Sequence, residues 1–345
     1  MKKMLALLLA LVMVLSLAAC ASSQPAAASI ETAETTETTE PAAEESAEAP
    51  AESGKTYTVG VCQLVQHEAL DAATQGFIDA LKEELGDAVT VDVQNASGDS
   101  VNCGTIVNGF VSKGVDLIMA NATPALTAAV SATADIPILG TSITAYGVAL
   151  DIDDFNGTVG GNVSGTSDLA DLQAQAQMIL DWFPETKTVG LLFCSAEPNS
   201  RYQIDEVRKA LEAQGVTCEE FAFTDSNDVS SVTQKAADFS DVVYIPTDNT
   251  AASNTEAIAN VLIPAGVPAV CGEEGLCRGC GVATLSISYY DLGVTTGKMA
   301  AKILKGEADI STMPVEYTDA TPKYNASVCE QLGITPLDGY EAIDG

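Results

Sequence analysis

The fold is decided by residues 57–93, YTVGVCQLVQHEALDAATQGFIDALKEELGDAVTVDV. Residues 57–65 are a β-branched, apolar run of strand length. Leu70, Ala73, Phe77, Leu81 and Leu85 then recur every three or four residues, the spacing of one helix face. A second β-branched run at 89–93 follows. Strand, amphipathic helix, strand is the unit that places two strands in parallel, because the helix carries the chain back to the starting edge.

Working outward, the unit repeats. Asp99 suits the cap of a helix carrying Ile106 and Phe110, which Gly114 closes. Residues 115–119 form a third strand. Pro124 opens a helix where its missing N–H costs nothing, and 136–139 form a fourth strand. After a glycine-rich stretch at 148–165 the same alternation returns. Helices are expected at 168–182, 202–214, 229–239 and 253–263, and strands at 188–193, 216–223, 242–245 and 268–270. Two such halves predict an α/β protein of two Rossmann-like open parallel-sheet lobes joined by a three-strand hinge. Residues 148–165 suit the first crossing, 282–287 the second and 313–317 the third, with a helix at 289–304 returned to the first lobe. The expected lobes are 56–147 with 288–310, and 148–287 with 311–345.

The N-terminal part reads differently. Lys2 and Lys3 precede an apolar run at 5–17, too short to span a bilayer but of signal-peptide length. It ends in Leu17-Ala18-Ala19-Cys20, a lipobox pattern in which Cys20 is the lipidation site and 1–19 the signal peptide. Residues 20–55 are expected to be a lipidated tether rich in Ala, Glu, Thr, Ser and Pro, without the apolar surface needed to offset ordering entropy. Membrane attachment is then through the lipid anchor only, at an extracytoplasmic face.

A formal charge of −33 argues against nucleic acid and anionic lipid as partners, since both need basic patches. Of nine cysteines, Cys277 and Cys280 have redox or half-metal-site spacing. There is no second CxxC, and the single histidine, His67, lies far away in sequence. Small buried thiols are the first expectation, and a local disulfide or metal site stands beside it. No GxxxxGKS, GxGxxG or GxSxG occurs, and no ligand-spaced histidine cluster. No cofactor, no metal and no catalytic residue is expected, and a binding protein fits better than an enzyme.

In open α/β sheets ligands bind beyond the carboxyl ends of the strands. The loops there carry Gln63, Gln66 and His67; Thr123; Thr141 and Ser142; Asn199 and Ser200; Thr247, Asp248 and Asn249; and Glu273 and Glu274. These alternate between lobes, as a cleft requires. Carboxylates gather on the second lobe and hydroxyls and backbone amides on the first. That asymmetry suits a zwitterion, its ammonium on Asp248 and its carboxylate near Thr123. Tyr146, Tyr202 and Phe193 are the aromatic side chains nearest these loops.

Several stretches resemble one known family: VGVCQLVQHEALD at 59–71 with Gly76-Phe77, GTSD at 165–168, NS at 199–200 and YIPTDNT at 244–250. GEEG at 272–275, YYDLG at 289–293 and GKMAAKILKG at 297–306 extend the match. Together they are similar to the ABC transporter substrate-binding proteins linked to tryptophan and tyrosine uptake. The resemblance implies a type I periplasmic-binding fold, hinge closure on a small-molecule ligand, an aromatic amino acid as that ligand and an ABC permease as partner. It adds Asp168, from GTSD, to the binding residues. Ala145-Tyr146 stands where the family usually has Asp-Pro. Another small solute, such as a different amino acid or a nucleoside, and a sensory receptor lobe are the alternatives.

Overall fold

In the computed structural model, residues 54–343 are described; Cys20, the signal segment and most of the tether lie outside them. The first strand, β1 (Tyr57–Gln63), is followed by α1 (Glu68–Leu85), β2 (Val89–Asn95) and α2 (Ser100–Lys113). Then come β3 (Leu117–Asn121), α3 (Thr123–Ala132), β4 (Ile138–Ile143), α4 (Tyr146–Ala149) and β5 (Val163–Ser167). The second run is α5 (Leu172–Trp182), β6 (Thr188–Cys194), α6 (Pro198–Glu212), β7 (Thr217–Phe223), α7 (Val229–Phe239) and β8 (Val242–Ile245). It continues through α8 (Asn249–Ala252), α9 (Thr255–Ala265), β9 (Ala269–Cys271), α10 (Glu274–Cys280) and β10 (Ala283–Ser286). Last are α11 (Tyr289–Lys305), β11 (Glu316–Tyr317), β12 (Thr321–Tyr324), α12 (Ala326–Leu332) and β13 (Glu341–Ala342).

The strands form two sheets, ordered β11-β5-β4-β3-β1-β2 and β13-β12-β10-β9-β8-β6-β7. Each contains the same parallel five-strand order, 2-1-3-4-5, as β2-β1-β3-β4-β5 and as β7-β6-β8-β9-β10. That order puts a switch point beside the first strand of each half, where the following loops diverge and leave a crevice. Helices cover both faces of each sheet. In the first lobe Phe77 and Leu81 of α1 share a core with Met299 and Leu304 of α11. Val107, Phe110 and Leu126 fill the other face. In the second lobe α5 and α6 pack on one face and α7, α9 and α10 on the other.

The lobe limits differ from those expected. Residues 148–167 belong to the first lobe and not the second, because β5 pairs in parallel with β4, so the first crossing comes after Ser167. Residues 282–287 do not cross as a strand: β10 stays in the second sheet, beside β9 and β12. Residues 311–317 return to the first lobe, because β11 pairs with β5. A lone strand shows only its apolar faces, and which sheet it joins is set by partners remote in sequence. Helix α11 packs against α1 at very close range. A Cβ on Gly293 would lie 2.0 Å from the Ala73 carbonyl oxygen, and one on Gly76 2.1 Å from that of Tyr290. Among the described residues, no helix is long and apolar enough to cross a membrane.

Candidate functional site

The carboxyl ends of both sheets face each other, and a small, largely closed cavity lies between them. The first lobe contributes His67 and Leu70 from the β1–α1 segment, Ser142 and Thr144 after the β4 core, and Tyr289 from the start of α11. Asp168, at the first crossing, lines it too. The second lobe contributes Asn199, Thr247, Asp248, Asn249, Ala252 and Glu273. No lysine or arginine lines the wall.

Local backbone geometry explains how Ser142 gets there. The register between β4 and β5 shifts between Gly140 and Ile143, and Ser142 has a φ of 56°, the left-handed region that a serine rarely adopts. Such a bulge re-aims a side chain at the edge of a sheet. Tyr146 braces it: its one hydroxyl hydrogen is shared between the carbonyls of Gly140 (3.0 Å) and Thr166 (3.2 Å). Tyr146 was expected near the ligand but belongs to this support. Phe193 lies in the core of the second lobe, and neither it nor Tyr202 lines the cavity. The aromatic side chain that does is Tyr289.

Three buried polar atoms of the lining have no hydrogen-bond partner among the described residues: Ser142 Oγ, Asp168 Oδ1 and Asn199 Oδ1. Their residues are 6 %, 5 % and 5 % exposed. Buried polar groups are nearly always paired, so three orphans facing one cavity mark a place built for a polar ligand. Asp168 is held by its own N–H to the Ile143 carbonyl (3.3 Å) and by the Tyr289 hydroxyl, which donates to Oδ2 at 2.9 Å. Burial raises its pKa, against the opposing pull of the Tyr289 and Thr144 side chains.

Asp248, expected to meet the ligand ammonium, has both oxygens engaged. Oδ1 accepts from the Ala251 N–H at 2.7 Å and Oδ2 from the Cys194 N–H at 2.6 Å. It caps α8 and ties it to the end of β6. Burial, with Glu197 nearby, pushes its pKa up to about 8, while those N–H groups pull the other way. Glu273 likewise caps α10, accepting from the N–H groups of Gly275 and Leu276, and burial lifts it to about 7. Sequence reasoning saw these carboxylates but not their occupation by backbone.

Of the other expected residues, His67, Asn199, Thr247 and Asn249 reach the cavity. Gln63 is buried beneath it, donating to Asp71 and accepting from Thr74. Thr141 joins a hydroxyl cluster with Thr166 and Thr296. Ser200 is fully buried beside Asn199, and Thr123 is buried at the start of α3, away from the lining. Gln66 is exposed. Glu274 turns away, pairing with Arg278 (2.8 Å) and Lys323 (2.6 Å). Cys277 and Cys280 are free and buried.

The lobes touch directly beside the cavity. Asn249 Nδ2 donates to Glu197 Oε2 at 2.6 Å. A carboxylate only accepts, so Asn249 Oδ1 must face His67, 3.2 Å from its Nε2. The ring is therefore the tautomer with the proton on Nε2. Burial lowers the His67 pKa, although Asn249, Glu197 and Asp71 oppose this. Arg278 of α10 also pairs with Glu68 of α1 at 3.0 Å. Sequence reasoning missed Glu197, Thr144 and Tyr289. The available signal for Tyr289 was its place at a helix start directly after a crossing.

Residues 58–339 match the family of ABC transporter substrate binding proteins. The chain is 32 % identical over 276 residues to a tyrosine-binding protein of Clostridioides difficile, covering 78 % of this chain and 79 % of that one. It superimposes with a TM-score of 0.79 on an ABC domain from Streptococcus pneumoniae in complex with L-Trp, at 32 % identity, over 84 % of this chain and all of that one. A second solved structure is the ligand-free, open form of a Clostridium difficile substrate-binding protein with adhesive properties. It is also 32 % identical, covers 84 % of this chain and 99 % of itself, and gives a TM-score of 0.64. At equal identity the better fit is to the tryptophan complex, in keeping with lobes that already touch through His67 and Arg278. The fold is the type I periplasmic-binding fold.

Proposed function

The chain belongs to the ABC transporter substrate-binding protein family, and on that premise we propose that its lobes close on one free aromatic amino acid and present it to an ABC permease. The observation that carries this reading is the set of unpartnered atoms on Ser142, Asp168 and Asn199 around one buried cavity. Asp168 Oδ1 is the acceptor for the ligand ammonium. Ser142 Oγ is a donor for its carboxylate. The atoms sit on both lobes, so a ligand contacts all of them only in the closed arrangement and selects that state. Tyr289 and Leu70 supply apolar surface for the ring. An aromatic side chain buries about 150–250 Å², worth roughly 4–6 kcal/mol at about 25 cal/mol per Å². Desolvation offsets much of the Coulomb gain at the charged ends, which therefore contribute specificity more than affinity.

The reading includes the expected surroundings: an extracytoplasmic protein, lipidated at Cys20 and tethered by the segment up to residue 55. A thermal-shift panel tests the ligand claim. Tryptophan, tyrosine or phenylalanine should raise the melting temperature by several degrees at about 100 times Kd. Leucine should do less and glutamate nothing, because no lysine or arginine lines the wall to take a second carboxylate. A shift with a nucleoside or an aliphatic amino acid, and none with aromatic ones, would replace the ligand and keep the binding role.

A further inference from the structure

The orientation of the Asn199 amide is fixed by its neighbours. Its Nδ2 donates to the Thr247 carbonyl at 3.0 Å and to Glu197 Oε2 at 3.3 Å. Both are acceptors only, so a flipped amide would set oxygen against oxygen. The network therefore leaves Oδ1 as the atom Asn199 offers to the cavity, and it has no partner among the described residues. Glu197 cannot swing away to relieve this. Its two oxygens also accept from the N–H groups of Asn249 (3.0 Å) and Thr250 (2.9 Å). The acceptor is thus built into the second lobe by residues that are themselves fully bonded.

On the first-lobe side the unpartnered atoms are Ser142 Oγ and Asp168 Oδ1. In the reading above these take the carboxylate and ammonium of the amino acid. Resting on that reading, we propose that Asn199 is a specificity-determining residue, its Oδ1 accepting a hydrogen bond from a donor on the ligand's side chain. The indole N–H of tryptophan and the phenol O–H of tyrosine supply such a donor; phenylalanine has none. Asn199 Oδ1 is solvated when the lobes part and buried when they close. A ligand without a side-chain donor closes the cavity over an unpaired acceptor, and sites built to hydrogen-bond a substrate group reject analogues that lack it.

The test is calorimetric titration of the wild-type protein with L-tryptophan, L-tyrosine, L-phenylalanine and β-(3-benzothienyl)-L-alanine. The last keeps the shape of tryptophan but has sulfur in place of the N–H. Tryptophan should bind at least about tenfold more tightly than the benzothienyl analogue, and phenylalanine should be weaker than the better of the two natural donors by a similar factor. In Asn199→Ala the gap between tryptophan and its analogue should shrink to within about threefold. Because Asn199 also steadies the Thr247 loop, the wild-type comparison decides if that variant does not fold. Equal affinities for tryptophan and the analogue, or a gap unchanged in Asn199→Ala, would overturn the assignment while aromatic binding stands. Binding by none of the four overturns the aromatic reading with it.

Discussion

The Tyr289 hydroxyl donates to Asp168 Oδ2 across 2.9 Å, joining the residue that follows the second chain crossing to the one that begins the first. The bond fixes the Asp168 carboxylate with its other oxygen left over at the cavity. It also ties the ligand-facing acid at the first crossing to the residue that follows the second. Asp248 shows the contrasting use of a buried acid, with both oxygens committed to backbone N–H groups.

Exchanging each acid for its amide should separate these roles. Removing one member of a desolvated charge pair costs about 2–5 kcal/mol, so Asp168→Asn should weaken aromatic amino acid binding by roughly 30-fold or more. Asp248→Asn should change affinity by less than about tenfold and lower stability by about 1–2 kcal/mol, the worth of a helix cap. Calorimetry and chemical denaturation on both variants give the comparison. Full affinity in Asp168→Asn would remove it from the ammonium site.

Affinity should depend on pH. Burial raises the Asp168 pKa above the usual carboxylate range, and only its ionised form pairs with an ammonium. Affinity should therefore rise with pH as Asp168 loses its proton and level off above that point. On the acid side, binding should release protons, visible as a buffer-dependent enthalpy. Glu273, near 7, and Asp248, near 8, are raised by burial in the same way. For the unliganded fold the sign reverses. These acids bind more protons folded than unfolded, so their contribution is most favourable below about pH 4 and declines as pH rises through their folded values. A Kd that stays constant as pH rises from the usual carboxylate range would count against the ionised Asp168 contact.

The α1–α11 contact should tolerate almost no added volume. With the Ala73 carbonyl 2.0 Å from where a Cβ on Gly293 would sit, Gly293→Ala must push the helices apart. Overpacking of this kind costs about 1–3 kcal/mol, read as a lower denaturation midpoint with an unchanged slope. A midpoint equal to wild type would mean that α11 shifts freely on α1.

The anchor is tested outside the described residues. Cys20→Ala should abolish acylation and move the protein from the membrane fraction to a soluble or uncleaved form. Unchanged fractionation and mass would exclude Cys20 as the lipidation site.

Hydrophobic periodicity is local, so most strands and helices, their alternation and the two-lobed parallel architecture were legible in the sequence, while β5, α10, β12 and α12 were not. It also indicated which loops reach the cleft, because in a parallel sheet every strand ends at the same edge. The family was legible in motifs such as 59–71 and 244–250. Tertiary structure decided which polar residues are spare. Asp168, Asp248 and Glu273 are equivalent acids in the sequence, and they differ only in which N–H and O–H groups come within bonding distance after folding. Ser142 reaches the cavity through a bulge that depends on its pairing with β5, and Tyr289 through a crossing whose lobe assignment needs both sheets. Asn199 turns its oxygen to the cavity because Glu197 and Thr247, remote or acceptor-only, occupy its nitrogen. Satisfaction of a hydrogen bond is a property of distance and direction between chain segments, and it exists only once the two lobes are built.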